Sequence, residues 1–216
     1  MSRRMIWGRA AWAMLSLVLL VGCDNDDDNS GATKNAALFE FNAFDNGGRT
    51  SRWPNLPIRV FLGNGVARVN EVTVWTGATG GVVTFTFVGS AGAANVTYSS
   101  GLSNPNVCGV TDILFDGDNI AAASITVNSS IFRSAGCVRT VTHEAAHAIG
   151  FLAHTDDGGL MDDDGGNGEI TPVVAQTLRD LYLLPPGTLV VAQTKQLGLR
   201  RPGGKRVMTF THPVRR

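Results

Sequence analysis

Three of the four histidines in this chain, His143, His147 and His154, lie within twelve residues of one another. The spacing of the first two places both imidazoles on one face of a helix, one turn apart, as two ligands of a single metal ion require. Gly150 follows where such a helix can end, because a residue without Cβ readily adopts the left-handed backbone conformation. The chain can then reverse and bring His154 back as a third ligand. The segment therefore predicts a metal site on a helix and the loop after it.

Glu144 directly follows the first of these histidines. At that position it stays outside the ligand set and can take a proton from water at the metal. Three neutral imidazoles leave the fourth position of a tetrahedral zinc ion open, which is typical of catalytic sites. A bare H-E-x-x-H also arises by accident on solvated helix faces. The third histidine, Gly150 and Met161 together favour the zinc site.

The segment resembles the signature of the metzincin metallopeptidases, H-E-x-x-H-x-x-G-x-x-H followed by a methionine turn. Met161, seven residues after His154, stands where the methionine of that turn packs beneath the metal. The resemblance implies that His143, His147 and His154 hold one catalytic zinc ion and that Glu144 is the general base of a zinc endopeptidase acting on polypeptides. It also implies an α+β fold, in which a twisted mixed β-sheet packs with about three helices and one helix carries the H-E-x-x-H motif.

The spacing departs from that signature by one residue. Three residues, 151–153, separate Gly150 from His154, where the usual pattern has two. A bulge can absorb the extra residue, and some bacterial matrixin-like sequences look like this longer form. We expect the apolar residues of the bulge to pack against the domain. If His154 does not reach the metal, Asp156 or Asp157 is the next oxygen ligand.

Residues 1–22 are predicted to be an export signal, with a basic start followed by the uncharged run 10–22. This run is too short to span a bilayer and fits the apolar region of a signal peptide. It ends in L-V-G-C, which resembles the bacterial lipoprotein box, in which the cysteine, here Cys23, is acylated. An ordinary signal peptide with an incidental cysteine is the alternative. The expected location is a bacterial cell envelope, with the chain lipid-anchored and facing the periplasm or the exterior.

Composition divides the rest of the chain into three parts. Residues 23–35 are polar and acidic and are predicted to be a flexible tether. Residues 36–193 suit one domain with a sizeable core, the metzincin-like peptidase domain. Residues 194–216 contain seven lysines and arginines and no acid, and are predicted to be a loosely ordered tail.

The net charge of the predicted domain limits the classes of partner that it is expected to bind. Between residues 35 and 190 the chain has seven basic and fourteen acidic residues. An acidic domain argues against a nucleic-acid partner. The expected partners are a polypeptide substrate and, through a lipid on Cys23, a membrane, and the chain is expected to be a monomer.

Local patterns predict the order of the elements. Runs of β-branched and aromatic residues predict four strands, at residues 58–62, 82–88, 94–98 and 124–127. Apolar residues at helical spacing predict three helices, at 66–76, from between 134 and 139 to 150, and at 172–184. Thr171 and Pro172 supply an N-cap and a first-turn proline for the last of them. On the middle helix, the two histidines are expected to face an open cleft, away from the buried side.

Cys108 and Cys137 remain once Cys23 is assigned to the lipid. An exported protein is in an oxidising compartment, so a disulfide is predicted between them. It would close about 30 residues and contribute about 3–4 kcal/mol in the chain-entropy model. Two buried free cysteines are the alternative.

Two further alternatives concern the site and its function. The acidic run 162–164 after Met161 is expected to be a solvated loop, and a calcium site is possible there. The alternative function is an envelope-anchored binding protein whose zinc site is structural or vestigial. Glu144 argues against it, because a structural site has no use for a general base.

Overall fold

The computed structural model describes residues 34–190 and 203–215 and has an α+β fold with one mixed six-stranded sheet. The strands are β1 (Ile58–Phe61), β2 (Phe85–Phe87), β3 (Val96–Ser100), β4 (Val107–Asp116), β5 (Asn119–Val127) and β6 (Lys205–Pro213). The α-helices are α1 (residues 34–38), α2 (Val69–Ala78), α3 (Thr140–Ala148) and α4 (Pro172–Leu183). Short π and 3-10 turns follow α1 at Phe39–Ala43 and Phe44–Asn46, and another 3-10 turn lies at Ala91–Ala93.

The sheet has a parallel half and an antiparallel half. Its strand order is β2-β1-β3-β5-β4-β6. The pairs β1–β2, β1–β3 and β3–β5 are parallel, whereas β4 runs antiparallel to both β5 and β6. The predicted α+β class with a mixed sheet is confirmed.

The end of α3 is fixed by buried side chains from outside the helix. The last carbonyl groups of a helix have no partner within it and must find one elsewhere. The indole N–H of Trp53 donates to the Ala148 carbonyl at 2.8 Å, and the hydroxyl of Tyr182 on α4 donates to the Ile149 carbonyl at 2.8 Å. These two bonds tie the end of α3 to the rest of the domain.

The predicted disulfide is confirmed. Cys108 and Cys137 are bonded, with their Cα atoms 5.5 Å apart, and both are buried. Cys108 lies in β4 rather than in a loop, and Cys137 precedes α3. The bond therefore holds β4 against the approach to α3.

Most of the predicted elements are present, with shifted ends. β1, β2, β3, α2 and α4 overlap the predicted segments, and α3 begins at Thr140, after the predicted range for its start. The segment predicted at 124–127 is the second half of β5, and β4 was not predicted. Apolar residues occur on both faces of β4, so the alternation that marks a half-buried strand is weak there.

The prediction of a loosely ordered tail is wrong for residues 203–215. Residues 205–213 form β6, paired along almost all of β4. Every second side chain of β6 is turned inward, namely those of Arg206, Met208, Phe210 and His212. This period of two is typical of a strand, but the basic composition of the segment favoured a loose tail instead. β6 therefore belongs to the folded domain.

The N-terminal predictions fall largely outside the described residues. These are the export signal at 1–22, the lipidated Cys23 and most of the tether at 23–35. Residues 34 and 35, assigned to the tether, are already helical in α1. Within 34–190 and 203–215, the structure contains no helix long and apolar enough to cross a membrane.

Candidate metal centre

The three predicted histidine ligands converge. The Nε2 atoms of His143 and His147 are 3.2 Å apart, and that of His154 lies 3.3 Å from the first and 3.2 Å from the second. His143 and His147 are adjacent because they are one turn apart on α3. Together the three side chains could hold one metal ion.

Hydrogen bonds on the far side of two rings orient these nitrogens. Nδ1 of His143 lies 2.6 Å from the Leu160 carbonyl, and Nδ1 of His147 lies 2.7 Å from the Phe151 carbonyl. A carbonyl only accepts, so each Nδ1 carries the proton and each Nε2 presents a lone pair. Burial, followed by the neighbouring imidazoles, lowers the pKa of His143 and His147 well below the ordinary value. Both rings are therefore neutral, as metal binding requires.

His154 reaches the cluster from the loop after α3. Its Nδ1 lies 3.0 Å from Oδ1 of Asp163, in the acidic run after Met161. A carboxylate bonded to the outer nitrogen orients an imidazole ligand and increases its basicity. Asp163 was not predicted to have this role.

The one-residue-longer loop is held by packing. Phe151 is fully buried and stacks on Phe41 at a centroid distance of 5.0 Å, and the buried Leu152 donates its N–H to the Phe41 carbonyl at 2.7 Å. Gly150 has a φ of 109°, and a Cβ there would lie 3.2 Å from the Ser51 carbonyl oxygen. The expectation that the apolar residues of the bulge pack against the domain is confirmed.

Asp157, the alternative ligand, lies outside the cluster identified among the described residues. Its carboxylate accepts bonds from the Thr155 hydroxyl at 2.9 Å and the Thr171 hydroxyl at 2.6 Å, and from the Gly159 N–H at 3.0 Å. Asp157 therefore organises the loop. Thr171 does precede α4, but its hydroxyl bonds Asp157 and makes no side-chain cap to the helix.

Glu144 is fully buried beside the histidines and faces β4. The hydroxyl of Thr111 donates to its Oε2, whereas its Oε1 has no hydrogen-bond partner among the described residues. A Cβ at Gly109 would lie 2.7 Å from that Oε1, so only glycine leaves room for the carboxylate. Burial raises the pKa of Glu144 to about 8, although the Thr111 bond opposes the rise. This carboxyl group can therefore gain and lose a proton near neutral pH.

Met161 lies in a buried turn that follows the loop carrying His154. Its side chain is fully buried, and its carbonyl accepts the Thr155 N–H at 2.9 Å. The preceding residue, Leu160, provides the carbonyl that orients His143. Through the Leu160 carbonyl, this turn therefore orients one histidine of the cluster.

β6 covers the site, so the prediction of an open cleft is wrong. The ring of His212 stacks on that of His143 with centroids 4.1 Å apart, and the ring of Phe210 stacks on that of His147 at 4.4 Å. His143, Glu144 and His147 each have 0% exposure. Neither Phe210 nor His212 was predicted at the site, because only the pairing of β6 with β4 brings them there.

His212 is itself buried. Burial lowers its pKa to about 4, and the backbone of Asp164 opposes this only in part. Neither ring nitrogen makes a hydrogen bond of ordinary geometry with the described residues. His212 is therefore neutral and packs as a flat ring against His143.

No protein-family model matches the chain, and no curated protein matches it either. The functional interpretation accordingly depends on the geometry of these side chains.

Proposed function

We propose that this chain is a zinc-dependent endopeptidase that hydrolyses peptide bonds in extracytoplasmic polypeptides. One observation carries the proposal: three imidazole Nε2 atoms lie within 3.3 Å of one another, and the buried Glu144 lies on the helix that carries two of them, His143 and His147. The resemblance of residues 143–161 to the metzincin signature supports the same function.

The donor set fits zinc. Imidazole nitrogen is a preferred zinc ligand, and Zn–N bonds of about 2.0–2.1 Å in a tetrahedral site separate neighbouring nitrogens by about 3.3 Å. The observed separations are 3.2–3.3 Å. The Leu160 and Phe151 carbonyls and the Asp163 carboxylate support the ligands as the outer partners of zinc-bound histidines do. With three protein ligands, one position is left for a reactant.

The protein side of the reaction is proton transfer by Glu144. A zinc ion supplies Lewis-acid chemistry when bound, making water more acidic and polarising a carbonyl group. Burial raises the pKa of Glu144, which makes its carboxylate a stronger base than that of an ordinary glutamate. Glu144 takes the proton of the attacking water and delivers it to the leaving amine. Thr111 holds one carboxylate oxygen, which leaves the other to exchange the proton.

The proposal includes export and anchoring in a bacterial cell envelope through a lipid on Cys23. The L-V-G-C sequence supports the anchor, and the Cys108–Cys137 disulfide supports an oxidising compartment. Replacing Cys23 by Ser should release the protein from the membrane fraction or block its processing. Unchanged partition of the Cys23→Ser protein into detergent would argue for an ordinary signal peptide.

One observation favours the alternative of a binding protein with a structural or vestigial metal site. Glu144 is bonded to Thr111 and fully buried, and β6 covers His143 and His147, as a site without turnover could be arranged. Metal analysis of the purified chain, combined with cleavage of casein with and without a chelator, separates the two functions. We expect one zinc ion per chain and chelator-sensitive cleavage. Zinc without cleavage, even in a variant with weakened β6, favours the binding protein.

A further inference from the structure

We propose that residues 203–215, here called the C-terminal strap, occupy the groove in which a polypeptide substrate would lie and so hold the full chain in a latent state. The inference rests on the proposed peptidase function and concerns the regulation of the same site. It requires that the strap lie where an extended substrate would pair, that it block the reacting groups and that it be displaceable.

The strap occupies a sheet edge next to the general base. Without β6, β4 would be the edge strand, and an exposed edge binds extended peptides by main-chain pairing. β4 is also the strand that contacts Glu144, through Thr111. β6 pairs antiparallel to β4 from Asp116↔Lys205 to Val107↔Pro213. A segment of the chain itself therefore takes the place that an incoming peptide strand would need.

The register places strap side chains directly against the candidate ligands. Phe210 pairs with Thr111 and stacks on His147 at 4.4 Å, and His212 pairs with Gly109 and stacks on His143. Glu144, which lies between His143 and His147 in the sequence of α3, has no exposed surface with the strap in place. A peptide substrate cannot reach this carboxyl group while the strap is in place.

Several buried polar atoms of the strap lack hydrogen-bond partners. Eight buried side-chain polar atoms in the described part of the chain lack a hydrogen-bond partner, and four of them belong to Arg206 and His212 of β6. Buried polar groups without partners oppose the state that buries them. Release of the strap would return these Arg206 and His212 atoms to water, which favours displacement.

The end of the strap is held by contacts on both sides of the site. The Arg215 N–H donates to the Gly136 carbonyl at 2.8 Å, before α3, and its guanidinium donates to the Gly166 carbonyl at 2.7 Å, after Met161. Arg215 Nε also lies 3.6 Å from Oδ2 of Asp164, with both side chains half-exposed. Exposed ion pairs are weak and are screened by salt. The strap therefore bridges the site through contacts that can open reversibly.

The first test weakens the strap in the zinc-loaded full chain. Phe210→Ala/His212→Ala removes both rings that cover the ligands, and Val207→Ala, at a site 62% exposed on the same strand, is the matched control. We expect casein cleavage to rise about tenfold or more in the double variant, because the open fraction rises, and to stay unchanged in the control. Zinc content is measured in each variant. If the wild-type chain cleaves casein, cleavage by the double variant that is no faster at equal zinc content would overturn the strap proposal.

The second test locks the strap through residues outside the histidine cluster. Thr209 donates to Asp112 at 2.6 Å on the exposed face, so Asp112→Cys/Thr209→Cys places two thiols on directly paired residues, within reach of a disulfide. The double-cysteine chain with this disulfide formed, here called the oxidised lock, should not cleave casein, and mild reduction should restore cleavage. The single variant Thr209→Cys, treated identically, is the control. An oxidised lock that cleaves casein at the control rate would overturn the strap.

A binding measurement separates the strap from the peptidase proposal. A fluorescent peptide with the sequence of residues 203–215 should bind the Phe210→Ala/His212→Ala chain and not the oxidised lock. Binding with this pattern supports an exchangeable strap even if no form cleaves casein, and in that case the peptidase proposal alone fails. No binding to the double variant overturns the strap, whatever the cleavage assay shows.

Discussion

A few side chains surround Glu144 at the candidate site. Thr111 donates to one carboxylate oxygen, and Gly109 leaves space for the other. Burial raises the pKa of this carboxyl group to about 8, and the histidines beside it are neutral. Under the proposed function, a buried acid beside neutral imidazoles is arranged to exchange protons, for which a purely structural site has no use.

The first prediction concerns Glu144→Ala. This change should leave zinc bound, because Glu144 is not among the converging nitrogen ligands, and should lower kcat by about two to three orders of magnitude, a typical loss for a general base. Cleavage and zinc content are measured in the Phe210→Ala/His212→Ala chain, and the same chain with Glu144 unchanged is the control. Undiminished cleavage by this variant would contradict the mechanism.

The second prediction assigns the third ligand. His154→Ala should weaken zinc binding strongly, because only two protein ligands remain. Asp157→Ala should change the affinity much less, since Asp157 bonds Thr155 and Thr171 instead. Competition with a chromogenic chelator gives both affinities. Tight zinc binding by the His154→Ala chain, together with metal loss from the Asp157→Ala chain, would identify Asp157 as the third ligand.

At the scale of elements, α3 is positioned by bonds from outside the helix as well as by its own. Trp75 on α2 is fully buried, and its indole N–H donates to the Thr142 carbonyl at 3.0 Å. The Cys108–Cys137 bond joins β4 to the approach to α3. The histidines and Thr111 therefore keep their relative positions because α3 and β4 are connected directly.

The third prediction removes the disulfide. Cys108→Ser/Cys137→Ser should lower the free energy of unfolding by about 3–4 kcal/mol, because the unfolded chain regains the freedom of a loop of about 30 residues. Urea denaturation of the folded domain, monitored by tryptophan fluorescence, measures the change. A loss below about 1 kcal/mol would show that loop closure contributes little here.

The fourth prediction concerns the contact between α2 and α3. Trp75→Phe keeps a large apolar ring but leaves the buried Thr142 carbonyl without the indole donor, although that carbonyl keeps its bond within α3, so the change should cost about 0.5–1.5 kcal/mol of stability. Val69→Ala, at a half-exposed position on the same helix, should change stability by no more than about 0.5 kcal/mol. Equal losses in the two variants would show that the indole bond does not stabilise the helix pair.

At the scale of the whole molecule, a metal ion held by the three histidines would couple metal binding to folding. His143 and His147 belong to α3, whereas His154 belongs to the loop packed on Phe41, so a metal ion would join separate parts of the chain. A ligand that binds only the folded state stabilises that state by mass action. The metal should therefore stabilise the domain beyond the site itself.

The fifth prediction is a metal-dependent melting temperature. Free zinc at about one hundred times its Kd should add about 2.7 kcal/mol, or roughly 5–11 °C in Tm for a domain of this size. Calorimetry with zinc and after treatment with a chelator measures the shift. The His154→Ala chain should show a smaller shift at the same zinc concentration. A Tm independent of zinc in the wild-type chain would argue against a metal site in the folded state.

The sequence by itself determined the features that depend on local geometry. The spacing of His143 and His147 placed both imidazoles on one helix face, because the helical period is fixed. Gly150 allowed the chain to leave that helix, and Thr171 with Pro172 marked the start of α4. The disulfide followed from the cysteine count and the expected compartment. In each case the information lies within a few residues or in composition.

Only the tertiary structure decided what covers the site. Asp112 of β4 pairs with Thr209, although almost a hundred residues separate them, and that register is set by which faces are buried together. The same pairing brings Phe210 and His212 over the histidines, and the placement of β4 against α3 brings Thr111 to Glu144. A local pattern does not contain its long-range partner, so a segment with the composition of a loose tail became a strand of the sheet.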